Sequence, residues 1–452
     1  MSSSYFYYGF NPVSQSRAGA IDRIIIGNLI HTEPSIRLRV AARGYNGIEP
    51  HGLPRWVHPL AGRHDDDFSS DAFMLALAAG PRPDVVIAHT DLTEPDILTA
   101  LMNAKRSNCK LLLYYDPQFL PSVQASFAVK MALGMGDVVY VPSDVVYKFV
   151  DDLFNVDMGE DEKRPSVRRM PYIVTHRVGA MNTSKRMELR GNLKFDDDDF
   201  VVGFFVENSM YYNIPVMLKA MASVVQGYSV CNDCQSSVFP GGQLVNDCCG
   251  DEINLSAITR GNPHVKFVIF ADDLFKWHSE EKYTSIPSLI SGMPELANAG
   301  VSVLRGSWDA EIRSDAYNLC DIAVSLSADI RPDLFAFEAM ATGTKVVSPA
   351  PRSGEWYNLS PDALIRNSRF ETTAFGESWP SPDVTALIDS ILDSYEEWVA
   401  NGKKKVFSKD PRALNTAIDF NELLNPSIPD IEIVNADGSS KAKKPKKLIT
   451  QM

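Results

Sequence analysis

The sequence lacks a basic excess, a long apolar run and a cysteine framework, and each absence excludes a class of protein. The 452 residues carry a net charge of -13. A protein that wraps nucleic acid over a broad basic face is therefore excluded, because phosphate contacts need clustered Lys and Arg. No stretch reaches the roughly 18 uninterrupted apolar residues of a membrane-spanning helix. The N-terminal residues show no basic segment followed by an apolar core, so we expect a soluble, cytoplasmic protein without a secretory signal.

Composition indicates an ordinary globular chain with more than one core. Six cysteines in a chain of this length do not form a disulfide scaffold. Apolar residues make up 45% and charged residues 22% of the sequence, and the length is sufficient for two hydrophobic cores. Two domains are therefore expected.

Short apolar runs alternate with amphipathic stretches over residues 1–180, which is the pattern of a parallel sheet with crossover helices. The pattern predicts one doubly wound N-terminal domain. Its predicted strands are Tyr5–Phe10, Ile36–Ala41, Asp84–Ala88, Lys110–Tyr115 and Val138–Val141, and its predicted helices are Ala20–Leu29, Asp71–Ala79, Asp96–Lys105 and Asp144–Leu153.

A second series of elements predicts a second doubly wound domain over residues 200–380. The charged stretch Arg186–Asp199 before it is interpreted as a solvated connection within a linker at 181–199. The predicted strands are Phe200–Val206, Val265–Phe270, Val301–Leu304, Ile322–Leu326 and Val346–Val347, and the predicted helices are Ile214–Val225, Asp315–Leu319 and Phe337–Ala341.

The C-terminal part divides into a helical segment, 381–434, and a tail, 435–452. Apolar residues from Val384 to Tyr395 recur at helical spacing, which predicts a long amphipathic helix. The tail is polar and basic, so we expect it to be disordered. It fits a solubilising tail, and contact with nucleic acid or a membrane is the second interpretation.

The most informative segment is Tyr317–Val347. A buried strand is expected to end at Ser325–Ser327, followed by an irregular loop and by a helix that begins near Phe337 with Glu338 in its first turn. Ligands of open α/β sheets bind at the carboxyl ends of strands, where helix N-termini present unpaired N–H groups. A binding role for Glu338 is thus one interpretation. The other is structural, because an acidic residue in the first turn stabilises the helix dipole.

Residues Glu338–Gly343, with the sequence EAMATG, match the donor-site signature of glycosyltransferase family 4 residue for residue. From about Tyr5 to Ala400 the chain resembles that family. The resemblance implies the GT-B fold class, an α/β protein with two Rossmann-like doubly wound domains facing a cleft. It also implies that the C-terminal domain binds a UDP- or GDP-sugar and that the N-terminal domain binds an unidentified acceptor. Sugar transfer would proceed with retention and without a catalytic metal.

The resemblance assigns roles to individual residues. Glu338 would accept hydrogen bonds from the nucleotide ribose, and Ala339 and Met340 would offer backbone N–H groups to phosphate. Gly19 would allow the backbone to approach the donor phosphates or the acceptor closely. The remaining donor-site candidates are Asn208, Ser327, Asp333, Leu334 and Phe335.

The sequence departs from that family at three places. Ile330 stands where a second Glu is usual, Asn208–Tyr212 contains no cation, and Tyr115 replaces an N-domain His. Stabilising the charge of a leaving diphosphate is usually the largest catalytic term, so another cation is required. Arg331 in the donor loop is the first candidate. Further cations near strand ends or after the helix are Arg305, Lys345 and Arg352.

These departures leave more than one functional hypothesis. The first is an active glycosyltransferase of hexosyltransferase type. The alternative is a catalytically impaired relative that serves as a nucleotide-sugar-binding or partner subunit. A nucleic-acid-modifying transferase is a third hypothesis, and it rests only on the basic tail.

Two further groups of residues carry chemistry. His89 and Asp91 follow the strand at Asp84–Ala88, at the end where acceptor residues would lie, so His89 is a candidate catalytic residue. A packed structural histidine is the alternative. An insertion at 228–256 holds four thiols, which are compatible with a structural zinc site or with a loose insertion containing free thiols. The four are Cys231, Cys234, Cys248 and Cys249.

Overall fold

A computed structural model of the chain describes most of the regular elements of both halves. The described residues are 4–9, 22, 25–26, 37–42, 57–59, 70–90, 92, 95–106, 108–117, 121, 123–155, 164–169, 178–196, 198–207, 213–231, 237–238, 261–262, 264–272, 286–296, 299–305, 310–327, 333–349, 364–365, 367–372 and 378–405. The chain divides into two compact units. The boundary between them lies between residues 173 and 174, and the second unit comprises residues 174–414.

The first unit is a seven-stranded parallel sheet in the order β3-β2-β1-β4-β5-β6-β7. Its strands are β1 (Ser4–Gly9), β2 (Arg37–Ala42), β3 (Val57–Pro59), β4 (Val85–Thr90), β5 (Lys110–Tyr115), β6 (Val138–Val141) and β7 (Ser166–Arg169). Its described helices are α1 (Ser70–Ala78), α2 (Pro95–Arg106), α3 (Val123–Gly134) and α4 (Asp144–Asn155). The order reverses between β1 and β4, and ligands of doubly wound sheets bind at such a switch point.

The second unit contains a six-stranded parallel sheet in the order β12-β11-β8-β13-β14-β15. Its strands are β8 (Phe200–Glu207), β11 (Val265–Asp272), β12 (Val301–Arg305), β13 (Ile322–Val324), β14 (Lys345–Pro349) and β15 (Leu364–Ile365). The short strands β9 (Ser229–Val230) and β10 (Ser237–Val238) pair with each other, and so do β16 (Asn367–Thr372) and β17 (Ser378–Pro382). The switch point of the main sheet lies between β8 and β13.

Helices complete the second unit. They are α5 (Thr183–Asn192), α6 (Ile214–Gln226), α7 (Ile286–Ser291), α8 (Ala310–Leu319), α9 (Leu334–Ala341) and α10 (Val384–Ala400), together with a 3-10 turn at Pro294–Leu296. Helix α10 packs on the core of this unit, where Trp398 is buried beside the ring of Phe200, with ring centroids 5.5 Å apart. The amphipathic helix predicted from Val384 onward is confirmed.

Strand β8 runs through the centre of the second unit and is buried on both faces, as expected for a central parallel strand. Gly203 lies in this strand, and a Cβ atom at that position would overlap Sγ of Cys320, which follows α8. Glycine at position 203 therefore allows the backbone of β8 to lie close to Cys320 at the end of α8, where a side chain on β8 would overlap the sulfur.

The expectation of a solvated connection at Arg186–Asp199 is wrong for its first part, which is helical and partly buried. Residues 183–192 form helix α5, which belongs to the second unit, and Asn182 caps it by accepting a hydrogen bond from the Lys185 backbone. Both oxygens of buried Asp321 are paired, with Arg186 Nη2 at 2.7 Å and Arg190 Nη1 at 3.1 Å. Arg186 and Arg190 therefore hold the helix against the sheet, whereas Glu188, Lys194, Asp196 and Asp198 are exposed.

No helix among the described residues is long and apolar enough to cross a membrane.

Candidate functional site

Helix α9 begins three residues earlier than predicted, because Asp333 caps it. The Asp333 carboxylate accepts hydrogen bonds from the backbone N–H of Phe335 at 3.0 Å and of Ala336 at 3.4 Å. Two of the N–H groups that a helix N-terminus leaves unpaired are thereby used. A buried carboxylate thus lies at the end of the helix that was expected to face a donor phosphate.

Because of this earlier start, Glu338 lies in the second turn of α9 and does not stabilise the first turn. Its side chain is 1% exposed. Arg313 of helix α8 binds it through two hydrogen bonds of 2.7 Å, from Nε to Oε2 and from Nη2 to Oε1. Such a two-pronged contact between guanidinium and carboxylate fixes both partners in direction as well as in distance.

Tyr317, one turn after Arg313 on α8, completes this group. Its hydroxyl donates a 2.9 Å hydrogen bond to Glu338 Oε2. Burial and the negative charge of Glu338 raise the pKa of Tyr317 well above its usual value, so it remains a donor at all physiological pH values. Glu338 thus accepts three hydrogen bonds, and a carboxylate offers about four acceptor positions. The remaining position is on Oε1.

The same early start changes the roles of the two residues after Glu338. Ala339 and Met340 lie beyond the first turn, where backbone N–H groups are taken up by the helix, and their side chains pack in a core cluster that includes Phe205. This corrects the expectation that they offer N–H groups to phosphate. Leu334 is buried in the first turn, and Phe335 is partly buried against the Phe205 ring.

The loops at the switch point of this sheet are tied together by Asn213. This residue caps α6 in the left-handed conformation, with φ of 50°, and its side-chain Nδ2 donates a 2.9 Å hydrogen bond to the carbonyl of Leu326. Leu326 follows β13, and its neighbour Ser327 is partly buried. The Oγ of Ser325 is buried and finds no hydrogen-bond partner within the described part of the chain. An unpaired buried hydroxyl costs about 1–3 kcal/mol, so it is a place where a ligand group is favourable.

Several predicted site residues lie outside the described residues: Gly19, Asn208 and Arg331, together with Cys234, Cys248 and Cys249 of the zinc prediction. The fourth thiol, Cys231, is buried. Among the described residues, no three His, Cys, Asp or Glu side chains are grouped as metal ligands. The zinc site remains a prediction.

Lys345, one of the alternative cations, is at the wrong edge of the sheet. It begins β14, whereas the donor-site residues follow the carboxyl ends of strands, and its Nζ lies 2.8 Å from Oε2 of Glu397 on α10. Arg305 ends β12 at the carboxyl edge. Arg313 is the cation that the structure places beside Glu338.

In the first unit, His89 lies at the carboxyl end of β4, beside the switch point. It is fully buried, with Nδ1 2.5 Å from Asp22 Oδ1 and Nε2 3.5 Å from Asp116 Oδ2. The Tyr7 hydroxyl donates a 2.5 Å hydrogen bond to the same Asp22 oxygen, and the Tyr114 ring packs edge-on against the imidazole.

The charge of His89 follows from these neighbours. Burial lowers its pKa, but the charges of and hydrogen bonds to Asp22 and Asp116 outweigh burial and raise the pKa to about 9. At neutral pH the ring is therefore an imidazolium, which donates from Nδ1 to Asp22 and lies within ion-pair distance of Asp116 through Nε2. In that state it cannot accept a proton from an acceptor hydroxyl.

Sequence reasoning missed Arg313 and Tyr317. They are four residues apart on α8 and so share one helix face, which is a visible signal. Their partner Glu338 belongs to a later helix, however, and no local pattern joins the two helices.

Comparison with known proteins supports the architecture. No protein-family model matches the chain, and no curated protein matches it. Among solved structures, sucrose-phosphate synthase from Thermosynechococcus elongatus is 14% identical, with a TM-score of 0.60 over 93% of this chain and 99% of that one. HepE from Anabaena in complex with UDP-glucose is 14% identical, with a TM-score of 0.60 over 94% of this chain and 98% of that one. A glycosyltransferase from Rickettsia africae is 11% identical, with a TM-score of 0.55 over 94% and 99% of the two chains.

At these identities the likeness concerns the fold. The predicted α/β class, with two Rossmann-like doubly wound domains as in GT-B proteins, is confirmed.

Proposed function

We propose that the protein is a glycosyltransferase of family 4 type that transfers a sugar from a nucleotide-diphosphate sugar to an acceptor hydroxyl, with retention at the anomeric carbon. The observation that carries the proposal is the position of Glu338. It belongs to the EAMATG segment and lies in the helix that follows the carboxyl end of β13, beside the switch point of the second sheet. Ligands of doubly wound sheets bind at this position.

The donor chemistry is proposed from the site and from the neighbouring structures. We propose that a ribose hydroxyl donates one hydrogen bond to the remaining acceptor position of Glu338 Oε1. Arg313 and Tyr317 already hold the other three positions, so the carboxylate is oriented before a ligand arrives. Since HepE was solved with UDP-glucose, UDP-glucose is the first donor to test, and a GDP-sugar is the second.

In the proposed reaction the bond between the anomeric carbon and the diphosphate oxygen breaks, and UDP leaves with the electron pair. A bond forms from the same carbon to the acceptor oxygen, whose proton passes to the leaving diphosphate or to water. The leaving group gains charge, so a cation near it lowers the barrier. We propose Arg331 for that role, because Arg313 is already paired with Glu338.

The geometry of His89 supports a positioning role. As an imidazolium between two carboxylates it offsets one of the two negative charges of Asp22 and Asp116 and holds both side chains at the carboxyl edge of the first sheet. We therefore propose that His89 maintains the shape of this edge and does not act as a general base.

The decisive experiment measures donor binding and donor turnover separately. A panel of UDP-glucose, a GDP-sugar and an ADP-sugar is tested by thermal shift and calorimetry. A ligand at 100 times its Kd stabilises the folded state by about 2.7 kcal/mol, which raises Tm measurably. Release of the nucleoside diphosphate is then followed with and without simple sugar acceptors.

The results separate the hypotheses. Binding with diphosphate release supports the transferase. Binding without release, with any acceptor tested, supports a nucleotide-sugar-binding subunit instead. Failure of every nucleotide-sugar to bind refutes both.

A further inference from the structure

The outer faces of helices α1, α2 and α3 carry a patch of exposed apolar side chains. Six large apolar side chains in the described part of the chain are well exposed, and four of them lie on these three helices. They are Leu75 at 71%, Met102 at 42%, Phe127 at 70% and Met131 at 50%. The other two, Ile312 and Val399, lie singly on α8 and α10 of the second unit.

These four side chains lie on three neighbouring helices. Helix α2 packs against α1 on one side and against α3 on the other. The three helices connect β3 to β4, β4 to β5 and β5 to β6, and these crossovers advance along the sheet in one direction. Right-handed crossovers in one direction place their helices on the same face of the sheet. Leu75, Met102 and Phe127 are therefore the outward residues of a single helical layer.

Helix α3 is apolar on both sides, which is unusual for a helix at a protein surface. Val129, Ala132 and Leu133 are buried against the first unit, while Phe127 and Met131, one turn apart, face outward. Lys130 is its one charged residue. A helix that is hydrophobic all round is normally covered on all sides.

The area of the patch suits a stable protein interface. A large apolar side chain has roughly 200 Å² of accessible surface, so the four exposed fractions amount to roughly 450 Å². A specific interface buries about 800 Å² on each partner, of which somewhat more than half is apolar. The patch thus matches the apolar share of one side of such an interface, and it is as large as the patches that mark interaction sites on monomers.

The charge distribution favours a protein over a lipid bilayer as the occupant. Helices that lie on membranes are rich in Lys and Arg on their polar face, whereas α1 contains no basic residue, α3 contains one, and the two of α2 lie in its last turn, where Lys105 pairs with Asp137. The chain carries a net charge of -13, which opposes approach to an anionic membrane. Two identical copies repel each other for the same reason, so they approach best through a face with few charges.

We propose that helices α1 to α3 form a two-fold symmetric interface between two copies of this chain, with Phe127 and Met131 near its centre. In an isologous dimer the same patch serves both partners. Each copy then covers the outward face of α3 in the other, and the carboxyl edge of the sheet in the first unit is not part of the interface.

The test is the oligomeric state of the full chain. Sedimentation equilibrium of the wild type is expected to give twice the 50.0 kDa of one chain, with dissociation on dilution. Phe127→Glu places a charge at the centre of the interface and is expected to weaken self-association at least about tenfold. Val399→Glu is the control. It introduces the same charge on α10, at an apolar residue whose exposure is similar to that of Met131, and it is expected to leave the mass unchanged.

A second measurement requires no substitution. Hydrogen exchange of the α3 amides in the wild type should slow as protein concentration rises, while exchange in α10 stays constant. Circular dichroism and Tm verify that Phe127→Glu is folded. A wild type that remains monomeric at high concentration overturns the proposal, and so does a dimer that survives Phe127→Glu. Flotation of the monomer with phosphatidylcholine and phosphatidylglycerol vesicles, lost on Phe127→Glu, would instead assign the patch to lipid.

Discussion

Breaking the Arg313–Glu338 pair from one side should destabilise the second unit far more than removing both charges. Both partners are almost fully buried and are joined by two hydrogen bonds of 2.7 Å. Glu338→Gln removes the Glu338 carboxylate from the buried guanidinium, and Arg313→Met leaves the carboxylate with the hydrogen bond from Tyr317. Removing one member of a buried ion pair costs about 3–5 kcal/mol.

The double variant Arg313→Met, Glu338→Leu replaces both charges with apolar groups of similar volume. Such replacements are often neutral or stabilising, so we expect the double variant to lose less stability than either single variant. Urea-induced unfolding followed by circular dichroism gives the three free energies and the coupling between the two sites. Glu397→Gln is the matched control, because it removes an equivalent charge from an exposed helical Glu that pairs with Lys345. It should cost less than about 1 kcal/mol.

The double variant also isolates the ligand role of Glu338. We expect it to be folded, which circular dichroism verifies, and it has no carboxylate at position 338, so a loss of affinity for UDP-glucose by the folded variant is not an effect of unfolding. A tenfold or greater loss is expected. If each single variant costs less than about 1 kcal/mol, the pair is not desolvated as described. If the double variant binds donor as the wild type does, Glu338 is not a donor ligand.

Three further predictions concern Asp333, His89 and Lys405. Asp333→Asn keeps the helix cap but removes a negative charge at the donor end of α9, so Tm should change little while calorimetry shows tighter UDP-sugar binding; weaker binding would place the diphosphate elsewhere. The pKa of His89 is about 9 in the folded protein and 6.5 in the unfolded chain. Protonation of His89 therefore adds about 3 kcal/mol to the free energy of unfolding below pH 6.5, and this stabilisation is lost as the pH rises through 9. In urea titrations, His89→Asn should abolish this pH dependence. Lys405 should give the opposite pH dependence. Burial and the charge of Arg186 lower its pKa from 10.5 to about 7, so the free energy of unfolding of the second unit should rise from pH 7 to pH 10.5. The same rise in Lys405→Met would contradict this.

The sheets could be predicted from the sequence because parallel strands are buried on both faces and appear as short apolar runs. Strands β5 and β6 have the predicted bounds, and β1, β4 and β8 differ by one or two residues at their ends. Helix α3 was not predicted. It is apolar on both its buried and its exposed side, so it shows no 3.6-residue periodicity to distinguish it from a loop or a buried strand.

The sequence singled out Glu338 as a candidate, but the contacts around it could not be predicted. Glu338 was found from the EAMATG segment, whereas the start of α9 was placed too late, because the capping function of Asp333 was not recognised in the loop. The pairing of Glu338 with Arg313, and of Asp321 with Arg186 and Arg190, joins helices and strand ends distant in the sequence. Charge patterns along the sequence cannot distinguish such buried pairs from a solvated stretch.

The close packing of β8 against the end of α8 has a consequence for how the sequence of this protein can diverge. Gly203 and Cys320 occupy one shared volume, because a Cβ on the first would overlap the sulfur of the second. A side chain at position 203 is therefore tolerated only together with a smaller residue at 320, for example Ala at 203 with Gly at 320, whereas a smaller residue at 320 is compatible with Gly203. In related sequences, a side chain at position 203 should occur together with a smaller residue at position 320, and the smaller residue at 320 should have arisen first.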